Sequence, residues 1–485
     1  AKNHKDSVDL FHEGLIALSE RFLWAVPSST MDEPDIGLHD HSLSVAAIAA
    51  CLHAHHAARR ELMDAAAIRN RERCKYRFLV ADLSGIQDTL FRLAAEQVKG
   101  VNRILRGRSF LLGALVEGAV LRCRQKLGLT PYSVLQRAGG KVLMLVPEVA
   151  GVADRIEELR REIDAWLLRT YTGDLAINLA LGPAFGGEDL HLDKIGDTIA
   201  TLYAEVEAVK QRPLGTALDE PILTHDEEGA DGPCPACGVR PAIVPDEREP
   251  AIRRCFACDA EHRLGGKLTR AAAVRWVEDA GDVRPFDAVG LRLTERAADR
   301  GKALSAWRLR DPASGTWPFA DRWVASYVPR YAEGDERRYP VETGDDPIDT
   351  GDIKHMQHIA QDAVERDRDG RPLGRAMLAV LKADVDRLGQ IFSRGLPDRS
   401  LGRQVLVSRL MDAFFTGFLP DLLRREFPST YTVYAGGDDL LLIGPWHATI
   451  KLAARLRAEV GGFAAGNPQL TLSAGIALVD AREPV

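Results

Sequence analysis

Tyr434-Ala435-Gly436-Gly437-Asp438-Asp439-Leu440-Leu441-Leu442-Ile443 is the stretch that decides the fold of this chain. Apolar residues flank a Gly-Gly-Asp-Asp centre, the pattern of a β-hairpin whose turn takes a tight backbone. Upstream, the run from Ala376 to Asp384 reads as a strand. A helix follows in which Leu406, Leu410, Phe414 and Phe418 recur every four residues. Downstream, Leu452, Leu456 and Val460 share one helix face, and Leu470 to Val479 reads as a closing strand. The order is β-α-β-β-α-β.

The same order stands earlier in the chain: a strand from Tyr76 to Asp82, a long helix near Ser109 to Gln125, a hairpin from Ser133 to Val146, a helix from Ala153 to Arg169 and a strand from Leu175 to Leu181. Ala81-Asp82 matches Ala383-Asp384, and Ala138-Gly139-Gly140 matches Ala435-Gly436-Gly437. The intervals agree as well, with 57 residues from Asp82 to Gly139 and 52 from Asp384 to Gly436. A repeat of this kind predicts two copies of one ferredoxin-like, palm or nucleotidyl-cyclase-like fold in an α+β, multidomain chain.

With 485 residues, and about 150 residues per domain, three or four domains are expected. The expected division is a helical module at 1–75, a degenerate first palm at 76–185, a connector with a cysteine module and linker at 186–370, and a second palm at 371–485. Within the third part, Leu192 to Val209 reads as helix, Pro285 to Tyr331 as mixed structure, and the polar run from Ala332 to Gly370 as a linker. A net charge of -7 excludes a protein that coats nucleic acid through its overall field, leaving Arg103, Arg106 and Arg108 as local candidates for phosphate contact. The longest apolar stretch, Val45 to Leu52, falls far short of the ~20 residues that span a bilayer.

The chemistry concentrates in the second repeat. Asp384 and Asp386 end a strand, and Asp438 and Asp439 tip the neighbouring hairpin, so their carboxylates are placed to converge on common ions. Mg²⁺ or Mn²⁺ with a triphosphate suits such hard oxygen ligands, and two ions serve nucleotidyl transfer. Gly436 and Gly437 let backbone approach a nucleotide. The plainer reading of Gly-Gly-Asp-Asp is an ordinary turn. The first repeat carries Lys141 at its hairpin and Ser84 where the second has Asp386, and so lacks the acids. Lys141 reads either as a contact to a second nucleotide's phosphates or as a solvent-exposed hairpin lysine.

Cys234, Cys237, Cys255 and Cys258 form two Cys-x-x-Cys pairs separated by 17 residues, the spacing of a closed, structural Cys₄ zinc site. Zinc cysteines and the absence of a secretion signal point to a cytoplasmic location. His39, Asp40, His41, His53, His55 and His56 are candidate metal ligands, against the commoner reading of helix histidines as surface or packing residues.

These stretches together resemble the large palm-domain subunit of type III-A (Csm-type) CRISPR interference complexes. The carrying segments are Leu381 to Gly389, Tyr434 to Asp439, Leu472-Ser473-Ala474-Gly475, Asp82-Leu83-Ser84-Gly85-Ile86-Gln87, Gly107-Arg108-Ser109-Phe110, the cysteine pairs and Asp40-His41-Ser42. The resemblance implies ATP as substrate, cyclic oligoadenylates as product, and activation by target RNA paired with a guide RNA within a complex of other type III-A subunits. By position it implies Asp384, Asp438 and Asp439 as catalytic metal ligands. Gly436, Gly437, Asp386, Ser473, Lys141 and Ser84 are then the substrate contacts. The family also carries an HD-type nuclease for single-stranded DNA; Asp40-His41 matches one part of that site, and the usual adjacent His-Asp pair followed by a helix is not recognised near the N-terminus. Members of the family continue into a helical C-terminal domain, so the resemblance implies that both ends of the protein are missing from this sequence. The alternatives are a diguanylate-cyclase-like enzyme, or a scaffold that binds guide RNA and partner subunits with its palm site unused.

Overall fold

The computed structural model describes residues 8–31, 33–91, 100–192, 194–217, 232–247, 249–279, 281–295, 303–309, 320–321, 327–339, 348–367, 369, 372–391, 395–396, 400–437 and 439–480. Asp438 and the expected boundaries at 370 and 485 lie outside the described residues.

The chain opens with α1 (Val8–Leu23), α2 (Leu38–Ala58) and α3 (Ala65–Arg69). The first half then runs β1 (Tyr76–Ser84), α4 (Ile86–Phe91), α5 (Val101–Leu127), β2 (Val134–Ala138), β3 (Lys141–Pro147), α6 (Val152–Tyr171) and β4 (Ala176–Leu181). Its sheet has the order β2-β3-β1-β4, antiparallel throughout. β1 is buried along nearly its whole length because both of its faces are covered. Leu79, Ala81 and Leu83 pack with Leu115 of α5 and Ile163 of α6. Phe78 and Val80 meet Ile199 and Leu202 of α7 (Ile195–Lys210) and Ala47 of α2.

The middle of the chain contains β5 (Val244–Pro245), β6 (Arg253–Arg254) and α8 (Phe256–Leu268), followed by a second four-stranded sheet. That sheet is built from β7 (Ala273–Val277), β8 (Gly290–Thr294), β9 (Ser305–Arg308) and β10 (Ala320–Asp321), in the order β10-β9-β7-β8. The expected linker after residue 332 is not a bare connector. It contributes α9 (Asp335–Arg338), α10 (Met356–Gln361), β11 (Glu365–Arg366), which pairs with β12 (Pro372–Leu373), and the buried side chains of Tyr339, Lys354, His358 and Ile359. Its polar residues pair with one another: Lys354 Nζ lies 2.8 Å from the Tyr339 hydroxyl and 3.3 Å from Asp362, so a low apolar content did not prevent packing.

The second half repeats the first: β13 (Met377–Val385), α11 (Leu388–Gln390), α12 (Leu401–Ala413), α13 (Leu419–Glu426), β14 (Tyr431–Gly436), β15 (Asp439–Pro445), α14 (Trp446–Phe463) and β16 (Leu472–Asp480). Its sheet order, β14-β15-β13-β16, matches that of the first half strand for strand. Between α12 and α13 the ladder widens to a π-turn over Phe414–Phe418, just ahead of Pro420, which has no N–H to continue it. Leu381, Ala383 and Val385 pack against Leu452, Leu456 and Phe415. Tyr431, Val433 and Leu441 instead join the buried cluster that contains Leu115 of α5, so apolar packing continues from one half into the other.

Candidate active site and metal centre

Strand register assembles the acidic site. Gly436 pairs with Asp439, Asp439 with Asp384, and Asp384 with Ser473. Residues directly opposite in neighbouring strands point to the same side of a sheet, so these positions form one row across all four strands. Asp384 is exposed and Asp439 half-buried, whereas Ala383 and Leu440 one residue away are buried on the helix side. Gly437 holds φ +69°, which explains glycine there.

Asp386 lies next to this row. Its carboxylate accepts hydrogen bonds from Ser473 Oγ at 2.6 Å and Thr471 Oγ1 at 2.5 Å, and its backbone N–H donates to Thr471 O. Those hydroxyls, Ser473 first, hold its pKa below the usual carboxylate range. Two of the expected substrate contacts thus bond to each other and fix the end of β13 against β16.

The first half has the same row with different chemistry. Ala138 pairs with Lys141, Lys141 with Asp82, and Asp82 with Asn178. This register shifts the expected correspondence by one residue: Ala138 takes the place of Gly436, and Lys141 that of Asp439. Ser84 accepts from Asn178 Nδ2 at 2.9 Å, just as Asp386 bonds to Ser473. Lys141 Nζ stands 3.9 Å and Lys210 Nζ 3.4 Å from Asp82 Oδ2, and Lys141 also lies 5.7 Å from the Tyr203 ring centroid. Burial works against the charge on Lys210, but Asp82 and Glu207 outweigh it and leave its pKa raised. Ammonium groups therefore neutralise Asp82 where the second half presents a pair of acids. Lys141 is neither a free hairpin lysine nor an uncommitted phosphate ligand.

A cavity of about 1470 Å³ lies between the halves, lined among others by Arg106, Arg137, Lys141, Arg409, Tyr434 and Gly436. It is larger than an ordinary small-ligand pocket. Its lining reaches Gly436 and stops short of Asp384 and Asp439.

Cys234, Cys237, Cys255 and Cys258 come together with their sulphurs all within 4.8 Å of one another, and each is at most 3% exposed. Cys255 caps α8, its sulphur accepting from the Cys258 N–H. Four soft donors at this spacing suit Zn²⁺. Arg108 NH2 lies 3.5 Å from Cys258 Sγ, and a second buried arginine, Arg240, is ion-paired with Asp174 beside the Tyr171 ring.

Arg108 is consequently not an open phosphate contact. It is 1% exposed and pairs with Glu261 at 2.9 Å. Arg106 donates to Gly265 O at 2.7 Å and retains a face on the cavity, and Arg103 already has a partner.

The histidine-rich helix does not gather a metal site. Both oxygens of Asp40, which is fully buried, accept from Arg409 at 2.8 and 2.9 Å, while His41 and His53 are exposed. The adjacent His-Asp pair that sequence reading missed is His39-Asp40 in the first turn of α2, but His39 Nδ1 bonds Ser19 Oγ at 2.8 Å. His55 Nδ1 bonds Glu148 O at 2.5 Å, and His56 Nδ1 lies 3.3 Å from Glu61. Among the described residues only the four cysteines bring three or more metal-ligating side chains together. No helix among them is long and apolar enough to cross a membrane. Sequence reasoning missed Arg409 and Tyr434, whose partners lie 369 and 295 residues away.

Comparison with known proteins agrees with this architecture. The family model described as "Cas10/Cmr2, second palm domain" matches residues 377–485, and "Csm1 subunit domain B" matches residues 75–224. The CRISPR system single-strand-specific deoxyribonuclease Cas10/Csm1 (subtype III-A) of Thermococcus onnurineus is 26% identical over 97% of this chain and 59% of its own length. The chain belongs to the Cas10/Csm1 family of subtype III-A. The family member from Enterococcus italicus is 27% identical over 96% of this chain and 59% of its own. This chain therefore spans about 59% of the length of such relatives. The fold recurs in the Csm1-Csm4 subcomplex of the type III-A Csm interference complex, with TM-score 0.72, 24% identity, and coverage of 98% of this chain and 59% of that one. It recurs equally in a Csm1-Csm4 cassette in complex with one ATP, with TM-score 0.73, 24% identity, and coverage of 97% and 59%.

Proposed function

We propose that this chain joins ATP molecules into cyclic oligoadenylates at the Gly436-to-Ser473 row, within a guide-RNA-directed type III-A complex switched on by target RNA. The observation that carries the reading is the register that aligns Asp439, Asp384 and Ser473 on one face beside a Gly-Gly turn. Asp384 and Asp439, with Asp438, are the ligands for Mg²⁺ or Mn²⁺. Bound there, the ions would activate a ribose hydroxyl and neutralise the leaving pyrophosphate. The residues do the rest. Gly436 and Gly437 leave room for phosphate, Asp386 and Ser473 hold the strand end, and the Lys141 and Ser84 side of the first half, which lacks the acid pair, faces a second nucleotide. Csm1-Csm4 cassettes of this fold have been solved in complex with one ATP, with cA3 and with cA4, which supports the substrate and product classes.

The same reading makes both halves ferredoxin-like palms, with domains at 1–75, 76–185, 186–370 and 371–485 and a zinc-stabilised insert in the third. It makes a Csm4-type subunit, guide RNA and target RNA the partners, and the cytoplasm the location. A second reading, a nuclease for single-stranded DNA, rests on the relatives' names, since Asp40 is committed to Arg409.

The test incubates the protein, in its guide-RNA complex with target RNA, with ATP and Mg²⁺ or Mn²⁺, beside Asp384→Ala, and reads products by mass spectrometry. Oligoadenylates from the wild type alone are expected. Product from neither, with RNA binding intact, would leave a scaffold.

A further inference from the structure

Two hydrogen bonds between the halves bracket a flaw in the strand that carries the Gly-Gly turn. β14 slips register between Thr432 and Tyr434, so Val433 is a bulge and the ladder is interrupted there. The Val433 carbonyl accepts from Ser109 Oγ of α5 in the first half. One residue on, the Tyr434 hydroxyl donates to the carbonyl of Gly139, at the tip of the first half's hairpin. The two hairpin tips touch through backbone. A Cβ on Gly139, whose φ is +50°, would fall 2.2 Å from Gly436 O and 2.5 Å from the Tyr434 hydroxyl. Gly436 is the residue paired with Asp439.

The arrangement is one-sided. β2 has the same bulge, between Val134 and Gln136, which makes Gln136 the counterpart of Tyr434, yet Gln136 Nε2 has no hydrogen-bond partner. Among the described residues, the bond that Tyr434 makes to the first half's hairpin tip thus has no counterpart from Gln136 Nε2 to the second half's. Only the held hairpin carries an acid opposite another acid.

We infer that Tyr434 and Ser109 are positioning residues that clamp the bulged strand of the second half onto the first half and so set Asp439 against Asp384. This rests on the nucleotidyl-transfer reading of the row. Without the clamp the hairpin pivots at its bulge, and displacement of a metal-binding carboxylate by a fraction of an ångström slows chemistry more than it weakens substrate binding. The first half is then required for the geometry of the second half's acids, beyond any nucleotide it holds itself.

The test compares wild type with Tyr434→Phe and Ser109→Ala in the assembled guide-RNA complex with target RNA, ATP and Mg²⁺. Tyr434→Phe keeps the ring and removes only the hydroxyl. The expected result is a kcat lowered by about tenfold or more with KM for ATP within about twofold, and faster hydrogen exchange across Tyr431–Pro445. Ser109→Ala should move both in the same direction by less. Unchanged kcat, or a raised KM with kcat intact, overturns the proposal. If the wild type yields no oligoadenylate, the nucleotidyl-transfer reading fails by itself. The clamp is then decided by exchange alone, and unchanged protection in Tyr434→Phe overturns it.

Discussion

Replacing Arg108 by Met should destabilise the joint between α5 and α8 by about 3–5 kcal/mol, the cost of stranding one partner of a buried ion pair. The structure supplies the reasons for so large a number. Arg108 and Glu261 are 1% and 0% exposed, with Nε and Oε2 2.9 Å apart. Glu261 Oε1 has no hydrogen-bond partner, so Arg108 is the chief group that offsets this carboxylate's burial, and the guanidinium also donates to Thr89 O at 2.7 Å. Burial pushes the Glu261 carboxyl above its ordinary range. For Arg108 burial acts in the opposite sense to its partner, and Glu261 prevails, leaving the guanidinium pKa raised. The two directions disagree about which charge is comfortable, and the short contact decides for an ionised pair. The helices cannot separate to admit water without losing their closest approach, because a Cβ on Gly107 or Gly265 would sit 1.8 Å from the facing backbone oxygen. Native-state hydrogen exchange of Val101–Leu127 and Phe256–Leu268 measures the opening free energy of this joint directly. Glu261→Leu alone should cost a similar amount. The double variant Arg108→Met/Glu261→Leu, which strands no charge, should lie within about 2 kcal/mol of wild type. A cost below about 1 kcal/mol for Arg108→Met, or strict additivity in the double variant, would refute the reasoning.

Cys258→Ser should lower bound zinc, read by elemental analysis of the purified chain, and release the metal to a chelating dye faster than wild type does, because three sulphurs leave the site open. Lys141→Ala should cost less than about 1 kcal/mol in thermal unfolding, since Asp82 keeps Lys210 at 3.4 Å; a larger loss would mean that Lys141 alone carries the pairing. His39, pushed down to about 4 first of all by burial, stays neutral in the fold while an unfolded chain titrates near 6.5. Its folded pKa is the lower one, so its contribution is complete above about pH 6.5 and is lost as pH falls towards 4. That amounts to up to about 3 kcal/mol, and His39→Gln should remove this part of the pH slope in urea unfolding.

Much of the candidate site was legible because its residues are local in sequence. Gly436 to Asp439 is one hairpin tip, and the cysteine pairs carry their own spacing. The matching of the two halves was legible in outline but one residue out of step. Ala138-Gly139-Gly140 resembles Ala435-Gly436-Gly437 by letter, while the hydrogen-bonded register sets Lys141 against Asp82. The run after residue 332 looked like a linker because its stabilising groups are polar, and their pairing becomes visible only once Lys354, Tyr339 and Asp362 meet. Arg108 looked like a phosphate ligand because a sequence does not reveal that Glu261, 153 residues on, covers it.

The sequence by itself determined the β-α-β-β-α-β order, its repetition, the acids at the strand end and turn, and the four-cysteine set. Each is written in periodicity or spacing over a few residues, where backbone geometry leaves little choice. Only the tertiary structure decided which side chains face one another across strands, that ammonium groups neutralise the first half's aspartate, that Asp40 is committed to Arg409, and that one half's hairpin grips the other's. Those outcomes depend on strand register and on contacts hundreds of residues apart, and a slip of one residue in register would turn every side chain of a strand to the opposite face.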